Sequence, residues 1–453
     1  MNRIHIVFIG LLQFFCLPGF AQEQYWTLEE CVEYAYKHNI DIKTQELSAA
    51  EKRITLAESK WDYAPSLMAT NSFSLSKGRV LDETTYEFVE NETMASSSTS
   101  IVANFQIFGG LEKYYSLKRA QLDLQSSLIA IDKIRNDVRL NITAYYLEML
   151  CAQEMIHNAE QVVAELTIQE QKIAKRVEVC AATNADLFQV QSQLADAQNN
   201  MLSARNIYEI ARLNLCQLLE IDDYASFQIV APDDSELKFC IFSDSYEEMY
   251  EAFCELPELK IASIGVEIAH RDLQILRAAR WPTLTLSIGY GSSYSDARYR
   301  LIPNIDGTYQ YNVYPFLEQY KDNASSYLLM SLNIPIFAKL TTHHNVQKQK
   351  LSIKQSEYYL RAVEKQVKQD LMQIMIDART AWDLYLGAQK YVAFTEESVR
   401  QISLKYDLGT ATITDYNAAV SAYVNAKTQL LQTKYEYIFK IKMLTYYTNG
   451  YEK

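Results

Sequence analysis

The chemistry open to this chain rests on two aspartates placed alike. Thr183-Asn-Ala-Asp186 and Thr412-Ile-Thr-Asp415 each set a carboxylate three residues after a threonine. That spacing is a capping box with Asp in place of the usual Glu, in which side chain and backbone at a helix start satisfy one another. A carboxylate there also favours the positive end of the helix dipole. Little else in the chain could react. There is no nucleophile elbow, phosphate loop or clustered carboxylate pair, so an enzyme has no residues to stand on, and no cofactor is expected. Past Cys16, six cysteines are scattered without a CxxC pair: Cys31, Cys151, Cys180, Cys216, Cys240 and Cys254. An exported chain could pair some of them; isolated, mostly buried thiols are the simpler expectation. His343-His344 has no partner at metal spacing and is expected on the surface.

The two aspartates belong to one unit written twice. KYDLGTATITDYNAAV, from Lys405 to Val420, has a fainter copy in RVEVCAATNADLFQV, from Arg176 to Val190, at an offset of 229. Asn104-Phe-Gln-Ile-Phe108 and Asn333-Ile-Pro-Ile-Phe337 keep that offset. Asn39-Ile-Asp-Ile-Lys43 matches Leu256-Pro-Glu-Leu-Lys260 at 217, as Pro65-Ser-Leu67 matches Pro282-Thr-Leu284. Landmarks on two constant offsets argue for an internal duplication. The single change of offset puts a 12-residue expansion in one loop of the second copy.

Each copy reads as helix, strand, strand, long helix, helix. The first helical segments lie near 27–61 and 246–280. Then the period changes to two. Leu284, Leu286, Ile288 and Tyr290 share one face, and so do Leu328, Met330, Leu332, Ile334 and Ile336 in a run from Tyr327 to Phe337. In the first copy Phe73 and Leu75 alternate with serines, and Ile101, Ala103, Phe105 and Ile107 alternate with Ser100, Asn104 and Gln106. These predict strands of about ten residues. Pro65 and Pro282 mark the helix-to-strand junctions, because the residue before proline avoids the helical region. Long helices follow near 111–179 and 340–407. In the first, Leu124, Leu128, Ile131, Ile134, Val138, Ile142, Tyr145 and Met149 recur at steps of three and four. At about 1.5 Å per residue such a helix spans roughly 100 Å. Return helices near 183–219 and 412–446 carry coiled-coil stripes, Ile413, Tyr416, Val420, Tyr423 and Leu430 in the second. The repeated motif is therefore the turn between two long helices, at the far end from the strands. Thr183 and Thr412 cap the returning helices, and Gly409 stops the long one; the first copy has Cys180 there. The organisation is a leader over 1–21, repeat 1 over 22–220, a connector over 221–244 and repeat 2 over 245–453.

The leader carries Arg3, an apolar run from Ile6 to Leu17, and small residues Gly19 and Ala21 before a cut at Gln22. It reads as a secretory signal. Phe15 before Cys16 is too large for lipoprotein processing, so no lipid anchor is expected. The 453-residue chain has a formal charge of −13, and losing the leader's one Arg makes it −14. No basic patch points to nucleic acid. No later run is apolar and long enough for a membrane helix. The strands, however, match the length of a tilted strand through a membrane, apolar outside and polar inside. Four strands have two open edges, which lipid does not tolerate, and four cannot curl shut around a lumen. Copies of the chain must then join into one barrel, or else the strands do not span and form a soluble four-stranded sheet, a reading the secretory leader and the serine-rich inner faces weigh against. Between Gly291 and Ser326, Tyr294, Tyr299, Tyr309, Tyr311, Tyr314 and Tyr320 mark an interfacial or outward-facing loop, which holds the expansion.

This pattern resembles the TolC family of outer-membrane efflux channels. NIDIK and LPELK, WDYAPSL and RWPTL, FQIFGG and IPIFAK, and above all YDLGTATITDYNAA carry the resemblance, which covers nearly the whole mature chain. It implies a mainly α fold with a small β part, in a homotrimer. Each chain gives four transmembrane strands to a 12-strand barrel in the outer membrane, and its coiled-coil helices to a periplasmic tunnel. Residues 221–244 and the C-terminal tail would form a belt along the tunnel. The implied role is a porin-like passive duct. An inner-membrane transporter drives substrate through a periplasmic adaptor (membrane fusion) protein docked on the helical turns, and outer-membrane lipid surrounds the barrel. Three-fold symmetry would set Asp415, or Asp186, in a ring that attracts multivalent cations, with Tyr406 helping to hold the hairpin shut. Where family members carry a basic residue after the Gly-Thr and a second acid one turn past the first, this chain has Ala411 and Ala418. The competing expectation is a structural or adhesive coiled-coil envelope protein without channel activity. Membrane-length strands interrupting the helices at duplicated positions are what that reading does not require.

Overall fold

The computed structural model describes residues 25–81, 86, 88–230, 256–303 and 305–448. The expected leader with Cys16, Cys240 and Cys254, the connector beyond Val230 and the tail beyond Thr448 lie outside the described residues. The elements in chain order are β1 (Tyr25–Trp26), α1 (Leu28–His38), α2 (Ile40–Trp61), β2 (Ser66–Leu81), β3 (Phe88–Gly109), α3 (Glu112–Glu178) and α4 (Asn184–Leu219). Then follow β4 (Gln228–Ile229), α5 (Pro257–Ala278), β5 (Thr283–Ser295), β6 (Tyr299–Pro303), β7 (Tyr309–Val313), α6 (Phe316–Asp322), β8 (Ser325–Asn333), α7 (Thr341–Asp407) and α8 (Ile413–Thr448). The fold is mainly α with a small β part. Helix limits repeat at the two offsets seen in the sequence: α2 and α5 start and end 217 residues apart, α3 and α7, and α4 and α8, 229 apart.

The chain divides into two compact units, the first of residues 1–43, 134–249 and 370–453, the second of 44–133 and 250–369. In the first unit, the stripe of α3 puts Val138, Ile142, Met149 and Leu150 against Cys31 and Ala35 of α1 and Leu215, Cys216 and Leu219 of α4. The single segment expected over 27–61 is two helices. Asn39 breaks it: its Oδ1 accepts from the N–H groups of Asp41 and Ile42, and its Nδ2 donates to Leu218 O at 3.0 Å. That side chain caps α2 and anchors the break. β1 pairs in parallel with β4, and the buried Tyr146 hydroxyl donates to Val230 O at 2.6 Å beside them. Cys31, Cys151 and Cys216 are free, buried or half-buried thiols, which desolvation raises to about 12, 11 and 11. Cys180 is free and exposed.

The second unit holds an antiparallel sheet in the order β2-β3-β5-β8. Its two faces differ in chemistry. On one, Ser72 and Ser98 share a hydrogen bond of 2.7 Å, Ser74 and Ser96 one of 2.8 Å, and Ser287 donates to Asn104 at 2.7 Å. On the other, Ile101 stands opposite Tyr290, Ala103 opposite Ile288 and Phe105 opposite Leu286, and Leu286 in turn opposes Met330. Three expectations are corrected. β2 and β3 run to 16 and 22 residues, longer than ten, because their hairpin continues past the end of β5. β8 stops at Asn333, so Ile334 and Ile336 leave the strand; Pro335 has no N–H for the ladder and constrains the residue before it. A bulge between Gln106 and Phe108 sets Phe108, not Ile107, opposite Leu284. Pro65 directly precedes β2 and Pro282 directly precedes β5. At the exit of β3, Gly110 has φ 65°, and a Cβ there would lie 2.5 Å from Ala278 O and 2.8 Å from Trp281 Cβ, so only glycine fits.

Candidate functional site at the hairpin turns

Each long helix ends in the same way. Cys180 N–H donates to Val177 O and Ala181 N–H to Arg176 O; Gly409 N–H donates to Tyr406 O and Thr410 N–H to Lys405 O. These are paired Schellman closures, which return the last carbonyls of the helix to a partner. The next helix starts with a closed capping box. Thr183 N–H and Oγ1 donate to Asp186 Oδ2 at 2.9 and 2.7 Å, and Asp186 N–H donates back to Thr183 Oγ1 at 3.2 Å. Thr412 and Asp415 repeat this at 3.1, 2.7 and 3.2 Å. The turn is therefore rigid at both ends, with only Ala181-Ala182 and Thr410-Ala411 between stop and cap.

Both carboxylates are held charged. The Thr183 hydroxyl, then the Thr183 N–H, lower the Asp186 pKa below the ordinary carboxylate value, with a smaller help from Arg176. The Thr412 hydroxyl and N–H do the same for Asp415. In each box the bonds land on Oδ2, which leaves Oδ1 to solvent. Asp415 is exposed and Asp186 half-exposed.

The two turns meet. Ile173 of α3, Val190 of α4 and Ile413 of α8 are buried in one cluster, with Val177, Leu187, Tyr406 and Tyr416 around it. Gln189 faces Thr414 at 3.4 Å. Tyr406 stacks on Tyr416 with ring centres 5.6 Å apart, and the Arg176 guanidinium lies 5.9 Å from the Tyr406 ring. Of the residues singled out from sequence, the structure thus brings Thr183 to Asp186 and Thr412 to Asp415. Tyr406 it brings to Arg176 and Tyr416. Sequence reasoning missed these two partners; Tyr416 stood on the α8 stripe, and Arg176 in the repeated motif opposite Lys405. Among the described residues no helix is long and apolar enough to cross a membrane, and no cluster of His, Cys, Asp or Glu could hold a metal.

A family model described as outer membrane efflux protein matches residues 35–219 and 249–449. Protein CyaE of Bordetella pertussis is 20% identical over 347 residues, covering 75% of this chain and 66% of CyaE, just under two thirds of its length. The crystal structure of CusC, described for its transmembrane channel formation, superposes with a TM-score of 0.80 at 14% identity, over 94% of this chain and 92% of that one. The CmeC outer membrane channel of Campylobacter jejuni does so at 0.78 and 16% identity, over 94% and 86%. At such identities these structures share the fold with this chain.

Proposed function

We propose that this chain, which belongs to the outer membrane efflux protein family, is the passive exit duct of a tripartite efflux or secretion assembly. In this reading it is a homotrimer with its strands in the outer membrane and its helices in the periplasm. A periplasmic adaptor protein meets the hairpin turns and an inner-membrane transporter supplies the driving force. The two repeats, 22–220 and 245–453 about a connector at 221–244, then give each copy two strand pairs and two helical hairpins.

The observation that carries the reading is the sheet. β2 and β8 are its outer strands, and they run in opposite directions. The β8 of one copy can therefore take the β2 of the next in an antiparallel ladder, a head-to-tail contact that closes into a ring. Lipid leaves no such edge unpaired, and three copies supply twelve strands. The serine-lined face then lines the lumen and the Leu/Ile face meets lipid. Asp415, Asp186 and Tyr406 stand where a constriction and its selectivity would be set. Thr183, Thr412 and Gly409 shape the turns offered to the adaptor, and Pro65 and Pro282 mark where tunnel becomes barrel.

The test is native mass measurement in mild detergent together with cysteine labelling. A trimer of the mature chain is expected, with Leu284→Cys and Leu286→Cys reporting lipid and Thr285→Cys and Ser287→Cys reporting water. A stable monomer that still inserts in bilayers, or equal aqueous labelling of both sets, defeats it.

A further inference from the structure

Along its two middle strands, β3 and β5, the apolar face of the sheet is too short for a membrane. On β5 it runs from Leu284 to Tyr290. Six steps at about 3.3 Å are about 20 Å along the strand, or roughly 15 Å along the membrane normal at a tilt of about 40°. An outer-membrane barrel shows lipid a band of about 25 Å. Beyond Tyr290 the same face turns polar on β3 and β5, while Phe73 and Leu75 keep it apolar on β2. Ser292 is opposite Thr99, which is opposite Asn71, and Ser97 follows two residues along. Asn71 Oδ1 accepts from Thr99 Oγ1 at 3.1 Å and from Ser97 Oγ at 3.4 Å, yet a polar cluster of this kind is still costly to set against hydrocarbon.

Helix α6 covers that polar patch. The Tyr320 hydroxyl lies 3.0 Å from both Ser97 Oγ and Thr99 Oγ1, and Ser292 Oγ donates to Tyr320 O at 2.6 Å. Phe316 packs on Tyr294 with ring centres 5.0 Å apart. The fully buried Gln319 fastens the helix: its Nε2 donates to Ser295 O and Tyr314 O, and its Oε1 accepts from Ser295 N–H. α6 leaves Leu317 78% exposed and Phe316 48% exposed, ahead of the exposed Lys321 and Asp322 at its C-terminal end. The β6–β7 hairpin beside it repeats the pattern. Arg300 reaches Glu318 at 3.0 Å and so points to its own chain, while Tyr299, Leu301, Tyr309 and Val313, on the alternate face, are all more than half exposed.

We propose that residues 296–303 and 305–323 are a lipid-facing cover, seated at the outer-leaflet boundary, that completes the apolar band of the barrel. The inference rests on the membrane-barrel reading. Extending the band to the level of Tyr294 makes ten steps from Leu284, about 33 Å along the strand and about 25 Å along the normal, which matches the band lipid requires. The occupant is lipid, not a second copy, because α6 sits over β3 and β5 in the middle of the sheet. Copies meet at the β2 and β8 edges.

The experiment is photo-crosslinking of the full chain in outer-membrane lipid vesicles, with benzoylphenylalanine placed singly at Leu317, Leu286 or Ser74. Lipid adducts are expected at Leu317 and Leu286 and none at Ser74, which faces the lumen. Adducts at Leu286 with none at Leu317, or a covalent dimer of two chains from Leu317, overturn the cover and leave the barrel standing. No lipid adduct at Leu286 overturns the barrel reading and the cover with it. Gln319→Leu, which unfastens α6, is expected to lower the adduct yield at Leu317 while leaving that at Leu286 unchanged; equal loss at both sites also counts against the cover.

Discussion

Cys180 and Gly409 occupy one backbone position in the two hairpin turns, 229 residues apart, both left-handed, with φ of 56° and 73°. Glycine takes that conformation freely, whereas a side chain costs about 1–2 kcal/mol. Cys180→Gly is expected to stabilise the first hairpin by about 0.5–1 kcal/mol, after the greater freedom of the unfolded glycine is counted. Gly409→Ala is expected to destabilise the second by about 1 kcal/mol. Thermal unfolding followed by circular dichroism in detergent measures both; opposite signs are the expected result.

The capping boxes make a prediction in pH. Both aspartates titrate below their unfolded value because of hydrogen bonds from threonine. Such groups add stability that is present above the unfolded carboxyl pKa of about 3.9 and is lost as pH falls through the lower folded value. Melting temperature is therefore expected to be flat from neutral pH to about 5 and to fall below about 4. Thr412→Ala, which removes the hydroxyl of the cap, is expected to cost about 1 kcal/mol at neutral pH and to flatten part of that acid slope.

If Asp415 also lines the pore, its Oδ1 is the atom that meets ions. Single-channel recording of Asp415→Asn beside Asp186→Asn separates the two roles. Loss of block by di- and trivalent cations in Asp415→Asn alone places the ring there. Unchanged block in both variants, with only thermal stability reduced, leaves these carboxylates as caps.

Tyr146 tests the core of the first unit. Trp26 O accepts from the Val230 N–H at 3.0 Å, but Val230 O depends on the Tyr146 hydroxyl at 2.6 Å. Tyr146→Phe keeps the ring and leaves that carbonyl without this donor, so a loss of about 1–2 kcal/mol is expected in urea unfolding.

Sequence and structure agree best where a signal is both long and local. The limits of α3, α4, α7 and α8 fall within two residues of those read from stripes, the Gly409 stop and the Thr-x-x-Asp starts, because caps and periodicity act over one or two turns. The strands were harder. Alternation shows which residues share a face, but not where pairing ends: that depends on Pro335, on the bulge at Gln106, and on how far β2 and β3 can run as a free hairpin. The α6 cover was less legible still. Its role comes from Gln319 and Tyr320 reaching Ser295, Ser97 and Thr99, and two of these three lie more than 200 residues away. At the turns, the caps could be read locally. The stacking of Tyr406 on Tyr416 under Arg176 could not, since it needs both hairpins side by side.

In the proposed ring, the unlike edges of the sheet also constrain how copies can meet. β2 offers 16 residues and β8 only 9. Pairing two identical edges would turn one copy upside down, so every productive encounter joins a long edge to a short one, and an incomplete ring always keeps one of each. If copies assemble into the proposed ring, a lone chain is an intermediate with two open edges, whose lifetime depends on how many siblings are nearby. Assembly of that ring should then slow steeply on dilution.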